Sequence, residues 1–538
     1  MGLMVQYYKT IGRVVMNIIP MPKSATLKDA KIRLGKNTVI EGDFSKTSEL
    51  LKEYLNKFEC GENTKVNFVK NTNIAEEGYE IKSEKDGIVI SASTDKGAFY
   101  AIVTLKQAID DGDGAFGADI KDAPKYEYRG FMLDCSRHFW RKEKIKQLLD
   151  VMADVKMNIF HWHLTDDQGW RAEIKKYPLL TQKGTTRRSS ALYHPSDDLS
   201  KKITKDEKYG EGFFYSQEDM KDIVAYAASK HIEVVPEIDM PGHMVAAISC
   251  YPELSCRGKE TEVSCRYGVT EDILCCGKER VFEFAKDIID ELCEIFPGRY
   301  FHIGGDEAPK ARWKECPDCQ KKIKELGLKD ENALQGYFNS QMAKYLKSKG
   351  KRMIGWNEIL DARDIMDKDI VAQWWWKYSI GNKNEKEWMR EGGQCLLSLC
   401  PYVYMDHAFS MRPLKKTYSF SSKNLTDDDS QVLGMEIPQW CEFIEDEDKL
   451  DMLTYARLIT FSEVCWTQDS KKDYKDFETR LENMRKRLGG LGAKICPQKI
   501  YRGKVKPFYV ISSASAWAFW NKHHDFEFDQ MKKMLSSD

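Results

Sequence analysis

No apolar run in the 538-residue chain reaches the roughly 18 residues that a membrane-spanning helix needs. Neither sign of charge is in excess: 83 Lys and Arg stand against 84 Asp and Glu, a formal net charge of −1. Composition therefore gives no support to a nucleic-acid or anionic-membrane partner. There is no internal repeat, and 35 Gly with 16 Pro are too few for a collagen-like or low-complexity chain. The N-terminal stretch MGLMVQYYKTIGRVVMNIIPMPKS lacks a long apolar core, being broken by Lys9, Arg13 and Lys23, so a cytoplasmic location is expected, with secretion the alternative. Cysteine is not scarce, but 15 is an odd number, and free thiols in a reducing compartment are the simplest expectation. Cys316-Pro-Asp-Cys319, Cys275-Cys276 and the pair Cys256 and Cys265 invite a metal reading. Only one CxxC is present, however, and a zinc site wants a second such pair or histidines. Inert thiols, no metal and no cofactor are expected.

The chain is 42% apolar and 31% charged, ordinary for a globular protein, with a high aromatic load of 13 Trp, 25 Tyr and 24 Phe. Residues 1–16 read as an N-terminal extension. Residues 17–125 read as a small α+β domain, with short β-type runs at Lys65-Val69, Tyr79-Ser83 and Gly87-Ala92 and amphipathic helices near Thr47-Phe58 and Lys96-Ile109. A turn-rich linker, Asp110-Asp-Gly-Asp-Gly to Pro124, closes it.

From Tyr126 a different rhythm sets in. Apolar β-type runs recur at Arg129-Leu133, Asn158-Leu164, Ile232-Ile238, Tyr300-Ile303, Arg352-Gly355, Ile370-Trp374, Gln394-Leu397 and Val432-Glu436. Helical patterns separate most of them: Lys142-Val155, Gln217-Ser229, Glu279-Ile295 and Glu331-Lys349. Eight such units over residues 126–490 predict an α/β fold, a (β/α)₈ TIM barrel, with a doubly wound open sheet as the competitor. Residues 491–538 form a C-terminal extension whose segment Ser513-Trp520 is apolar enough to dock as a helix, on the barrel or on a second copy in a homodimer.

Two motifs resemble sites without the surroundings a site requires. Gly112-Asp-Gly114-Ala-Phe-Gly117 has the letters of a dinucleotide fingerprint, but no helix opens after it and it reads as a loop. His161-Trp-His163 places two imidazoles on one strand face, as in a metal-dependent barrel hydrolase. The later strand ends offer tryptophans rather than further ligands, so hydrogen-bonded histidines beneath a polar site are expected. The sequon at Asn424 matters only in a secreted protein.

In such a barrel the functional groups sit where strands run into loops at the C-terminal face. Those ends carry Arg137, Asp167, Asp239 and His243, His302 with Asp306-Glu307, Trp356, Trp374-Trp375, Tyr404 with Asp406, and Trp440 with Glu442. Carboxylates, one arginine and a ring of aromatics suit a hydroxyl-rich, partly apolar sugar ring. Asp306-Glu307, behind two glycines, is the catalytic candidate, because glycosidic cleavage needs a carboxylic acid for the leaving oxygen and a second group for the developing positive charge. The two acids can act together only if the strand has ended before them.

These residues resemble glycoside hydrolase family 20, the β-N-acetylhexosaminidases, over roughly residues 17–490. The resemblance rests on HIGGDE, FMLDCSRHFW, FHWHLTDDQGWR, PEIDMPGH, GWNE and the Tyr-x-Asp and Trp-x-Glu strand ends, all in order. It implies an exo-acting retaining hydrolase that releases terminal β-linked GlcNAc or GalNAc with help from the substrate's own 2-acetamido group, through an oxazolinium intermediate. Glu307 would be the general acid and base, Asp306 the orienter of the acetamido N–H, and Tyr404 the donor to its carbonyl. Trp356, Trp375 and Trp440 would box the methyl and stack on the ring. Arg137, Asp406 and Glu442 would grip hydroxyls, with Asp167, Asp239, His243 and His302 supporting. Trp375 and Trp376 compete for one place, and Asn357 departs from the acid common there. A disaccharide-releasing or sulfated-GlcNAc relative, using a loop such as Tyr177-Gly212 with Arg187-Arg188, is the alternative; a silent sugar-binding barrel is the non-enzyme one.

Overall fold

The computed structural model describes residues 17–502 apart from 60–63, 110–113, 194–197, 199–207, 377–382 and 491. The extension at residues 1–16 and the expected helix at Ser513-Trp520 lie outside the described residues.

The first unit is a six-stranded mixed sheet in the order β1-β6-β4-β5-β3-β2, formed by β1 (Ser24–Arg33), β2 (Val39–Gly42), β3 (Lys65–Lys70), β4 (Tyr79–Glu84), β5 (Gly87–Ala92) and β6 (Ala115–Asp122). Helices α1 (Ser45–Leu55) and α2 (Asp95–Ala108) accompany it. The Thr94 side chain caps α2 through the Gly97 N–H, at the kind of residue that starts helices. One expectation fails here. The stretch read as a turn-rich linker contains β6, which pairs with both β1 and β4, and the second half of the glycine motif lies on that strand. Gly and Asp weaken the local β signal of AFGADIKD; pairing on both sides and burial of Phe116, Ala118 and Ile120 override it.

The second unit is a closed barrel of eight parallel strands: β7 (Tyr128–Asp134), β8 (Ile159–His163), β9 (Glu233–Glu237), β10 (Tyr300–His302), β11 (Arg352–Trp356), β12 (Val371–Trp374), β13 (Gln394–Leu397) and β14 (Val432–Gln439). Closure by β14 against β7 rules out the open sheet. Outside lie α3 (Lys142–Asp154), α4 (Gln217–Ala228), α5 (Glu279–Ile295), α6 (Pro317–Glu325), α7 (Glu331–Ser348), α8 (Lys383–Arg390), α9 (Glu447–Trp466) and α10 (Tyr474–Gly489). In α5 the buried residues Val281, Phe284, Ala285, Ile288, Leu292 and Ile295 recur every three or four positions, the stripe that seats a helix on a barrel.

Each strand contributes one side chain to an apolar floor inside the barrel: Tyr128, Ile159, Val235, Tyr300, Ile354, Val371, Leu396 and Leu433. Two residues further along, on the same inward face, come His161, Glu237, His302, Trp356 and Gln373, all buried. The interior thus changes from apolar to ionisable along the direction in which the strands run.

Buried ionic contacts lock the two units together. Arg129 of β7 reaches Glu77 at 2.6 Å, and Lys156 reaches Asp122 at 3.1 Å, while the Trp466 indole also donates to Asp122 at 3.0 Å. Among the described residues no helix is long and apolar enough to cross a membrane.

Candidate active site

Strand β10 ends at His302, and the chain then turns through Gly304 and Gly305, at φ 67° and 94°. A Cβ on Gly304 would stand 1.7 Å from Asp239 Oδ1, so only glycine fits. The Gly305 N–H donates to that same oxygen at 3.1 Å. Glu307 follows at φ 43°, a left-handed conformation costing about 1–3 kcal/mol that the packed loop imposes. The two acids have therefore left the strand. Asp306 is buried, and Glu307 keeps 39% of its side chain exposed.

His243 joins them: its Nε2 lies 3.9 Å from Asp306 Oδ2 and 3.6 Å from Glu307 Oε2. Its other nitrogen lies 3.1 Å from Asp166 Oδ1 and 3.6 Å from Asp167 Oδ2. Burial opposes protonation of His243, but Asp166 and Asp239 outweigh it and raise its pKa well above the ordinary imidazole value. Asp167 accepts the Val245 N–H at 3.0 Å, which seats the loop that carries His243. Burial lifts Asp239 to about 7 and, with the charge of Asp239 added, pushes Asp306 well above the usual carboxylate range. Asp306 Oδ1 is buried without a hydrogen-bond partner among the described residues.

Asp166 joins this group to a second ionic cluster around Arg137. Arg137 lies 2.7 Å from Asp166, 3.3 Å from Asp134 and 3.8 Å from Glu442, and donates to Gln168 Oε1 at 2.8 Å. Its pairing with Asp134 is thus one of several, and its guanidinium sits 5.1 Å over the Trp440 ring. Asp134 also accepts the Cys441 N–H at 3.1 Å, tying the first strand end to the eighth. Burial raises Glu442 to about 7 and Asp406 to about 6. Asp406 Oδ1 is another buried acceptor without a partner among the described residues.

The aromatic wall is continuous. Trp356 and Trp440 have ring centroids 5.8 Å apart, Tyr404 and Trp440 6.2 Å, and Trp375 stacks on Tyr404 at 5.9 Å and 19°. Of the two neighbours, Trp375 faces Tyr404 and Trp376 is 44% exposed. Burial and the charges of Cys400 and Asp306 raise the Tyr404 pKa well above 10, so its hydroxyl is a donor. A cleft of about 670 Å³ runs beside Glu307, lined by Lys310, Glu358, Asp361, Trp375 and Trp376. Asn357 is buried and structural: its amide donates to Glu385 at 2.7 Å and its oxygen accepts the Trp375 N–H at 3.1 Å. Beside it, Glu358 turns to the cleft and accepts the Trp375 indole N–H at 2.9 Å.

Asp166 and Glu237, to which the sequence reading gave no role, meet His161 and His163 inside the barrel. Glu237 lies against His163, 3.1 Å from His161 and 2.9 Å from His302, and accepts the Trp356 indole N–H at 2.9 Å. Despite burial, Glu436 and Glu237 raise His161 to about 9. The donor atoms of His161, Glu237 and His302 lie within 4.8 Å of one another. His161 Nδ1 lies 2.9 Å from Glu436 Oε1, and His163 pairs with Glu237 and Asp166, so both histidines of the His-Trp-His motif are hydrogen-bonded inside the barrel. Arg187, one of the pair offered for an extra subsite, is instead buried and donates to the carbonyls of Ser189 and Ser190, and Arg188 pairs with Glu262 at 3.3 Å.

Residues 126–469 match the model of the glycosyl hydrolase family 20 catalytic domain, and residues 15–123 that of the family's domain 2. The chain is 38% identical over 517 residues to a beta-hexosaminidase of Porphyromonas gingivalis, covering 88% of this chain and 63% of that protein. It is 34% identical over 408 residues to a beta-hexosaminidase of Vibrio furnissii, covering 72% and 65%. The chain thus spans just under two thirds of these two curated relatives. A β-N-acetylhexosaminidase structure from Bacteroides fragilis superposes with a TM-score of 0.77 at 29% identity, over 91% of this chain and 99% of that one. An exo-β-N-acetylglucosaminidase from Vibrio harveyi, in complex with N-acetylglucosamine, superposes at 0.76 and 29% identity, over 90% and 79%. A closed barrel behind a six-stranded sheet, an acid pair on a strained turn and both family matches in chain order lead to one assignment: this chain belongs to glycosyl hydrolase family 20.

Proposed function

We propose that the protein is an exo-acting, retaining β-N-acetylhexosaminidase that removes terminal GlcNAc or GalNAc from glycans with participation of the substrate's 2-acetamido group. The observation that carries this reading is the position of the two acids. A retaining enzyme with its own nucleophile needs carboxyl groups roughly 5–5.5 Å apart on opposite sides of the anomeric carbon. Here the two acids are chain neighbours, with oxygens within 4.8 Å of each other and of the same His243 nitrogen. That suits a proton donor beside an acid that orients the acetamido group, and the family draws its nucleophile from the substrate.

Glu307, open to the cleft, protonates the glycosidic oxygen as the acetamido carbonyl oxygen attacks the anomeric carbon. The C–O bond to the leaving group breaks and the oxazolinium ring closes. Asp306, with its free buried oxygen, accepts the acetamido N–H and offsets its growing positive charge. The Tyr404 hydroxyl donates to the acetamido oxygen, and the tryptophan wall excludes water. Glu307, now a carboxylate, takes a proton from water as that water opens the ring, and configuration is retained. Asp406, Glu442 and Arg137 hold the ring hydroxyls, Asp406 through an acceptor that no donor among the described residues occupies.

Steady-state hydrolysis of aryl β-GlcNAc, aryl β-GalNAc and the 2-hydroxy aryl β-glucoside tests this. Turnover of both acetamido sugars with none of the glucoside is expected. Equal turnover of the glucoside would defeat the assisted mechanism, and silence on all three with tight GlcNAc binding would leave a sugar-binding barrel.

A further inference from the structure

Four cysteines far apart in the chain meet beside the acid loop. Cys256 follows the short turn Pro252–Leu254, Cys275 precedes α5, and Cys316 and Cys319 begin α6. Cys275 Sγ lies 3.6 Å from Cys316 Sγ and 3.5 Å from Cys319 Sγ, and Cys256 Sγ lies 3.9 Å from Cys319 Sγ. All four sulfurs fall within 4.8 Å of one another. A disulfide would hold two of them at about 2.05 Å. Four thiolates around one zinc ion, each about 2.3 Å from the metal in a tetrahedron, lie about 3.8 Å apart. The separations observed bracket that spacing, and Cys275 has no preferred partner between Cys316 and Cys319.

The backbone around the sulfurs is built for the same geometry. Ser255 and Leu274 form an antiparallel bridge, and the Cys275 N–H donates to Leu254 O at 2.8 Å, so each arm of a small ribbon presents one cysteine. A Cβ at Gly277 would stand 2.3 Å from the Asp318 backbone. The ribbon therefore packs directly on the turn of Cys316-Pro-Asp-Cys319. Lys278 donates to Ser255 O at 2.8 Å and sets a positive charge against the ribbon, where a tetrathiolate centre is negative. Cys265 and Cys276, which the sequence also singles out, stay outside the cluster.

We propose that Cys256, Cys275, Cys316 and Cys319 bind one structural zinc ion. Four protein ligands leave no open position, so the ion would hold structure rather than activate water. It would clamp the loop after β9, which carries Asp239 and His243, to the loop after β10, which carries Asp306 and Glu307. The ribbon already touches both: the Leu274 N–H donates to Pro241 O at 3.0 Å, and the Trp313 indole donates to Leu274 O at 2.9 Å.

The test is the metal content of the full chain, purified without added metal or chelator. About one zinc per chain is expected, released in step with four thiols when an organomercurial is titrated in and the free ion is followed with a chromogenic chelator. C316S/C319S should lose the zinc, and C265S should keep it. Iron in place of zinc, four cysteines found as two disulfides by non-reducing mass spectrometry, or four free thiols with no metal would each overturn the assignment. The wild-type titration decides the matter even if the double variant does not fold.

Discussion

Glu307 combines a strained backbone, a half-open side chain and a histidine shared with a buried neighbour. That arrangement separates proton transfer from charge stabilisation. E307Q should lower kcat on an unactivated disaccharide by about 10²–10⁴-fold, with a smaller loss on an aryl glycoside whose leaving group needs no proton. Steady-state kinetics on the pair of substrates checks this; equal losses on both would assign Glu307 another role. Asp406 gives a second prediction, in stability. Burial raises its folded pKa to about 6, above the unfolded carboxylate value. The neutral form is the one the fold prefers, so the contribution is complete below the unfolded value and is lost as pH rises through about 6. D406N removes the ionisation. It should melt higher than the wild type at pH 8 and with a difference about half as large at pH 5, while losing kcat/KM through the missing acceptor. Thermal scans at the two pH values decide it, and a pH-independent difference would contradict the assignment.

At the scale of elements, β10 and its turn place the acids, and β9 places what supports them. Val235, Glu237 and Asp239 lie two residues apart, running from floor to support to pocket on one inward face. G304A should be far more damaging than an ordinary surface glycine replacement. Its Cβ would enter the space of Asp239 Oδ1 at a φ that only glycine tolerates cheaply. We expect a melting temperature lower by several degrees and activity below about one hundredth of wild type, a cost traceable to the displaced Asp239 and Asp306. Circular dichroism with kinetics tests it, and a variant with wild-type kcat would show that the turn adapts. The strand positions were largely legible, because eight apolar runs with helical spacers admit few folds. β6 was not, because its Gly and Asp mask a strand that pairing on both sides makes.

Across the whole molecule, the sheet unit and the barrel share buried charges. Arg129, on a barrel strand, is buried against Glu77 of the sheet unit at 2.6 Å, and Lys96 also reaches Glu77. Removing one partner of such a pair leaves the other charge buried, at a cost of about 3–5 kcal/mol. E77A should therefore melt markedly lower than the wild type, with both units unfolding in one calorimetric transition. Two separated transitions in the wild type would show that the units are independent.

The positions of the strands and the candidate acids follow from local pattern: periodicity, glycines before an acid pair, and aromatics at strand ends. Those properties are carried by neighbouring residues and need no knowledge of distant contacts. The tertiary structure alone decided which groups meet. Asp166 and Glu237 stood in plain view, but their importance lies in His163, His243, His161 and His302, brought together from β8, the loop after β9 and the end of β10. Only the fold shows that Trp375 stacks on Tyr404 while Trp376 is the more exposed. The four cysteines were drawn together from positions 256 to 319, a convergence that spacing along the chain does not encode. Contacts between residues remote in sequence are set by the packing of whole elements, and burial then shifts the charge of the groups so enclosed.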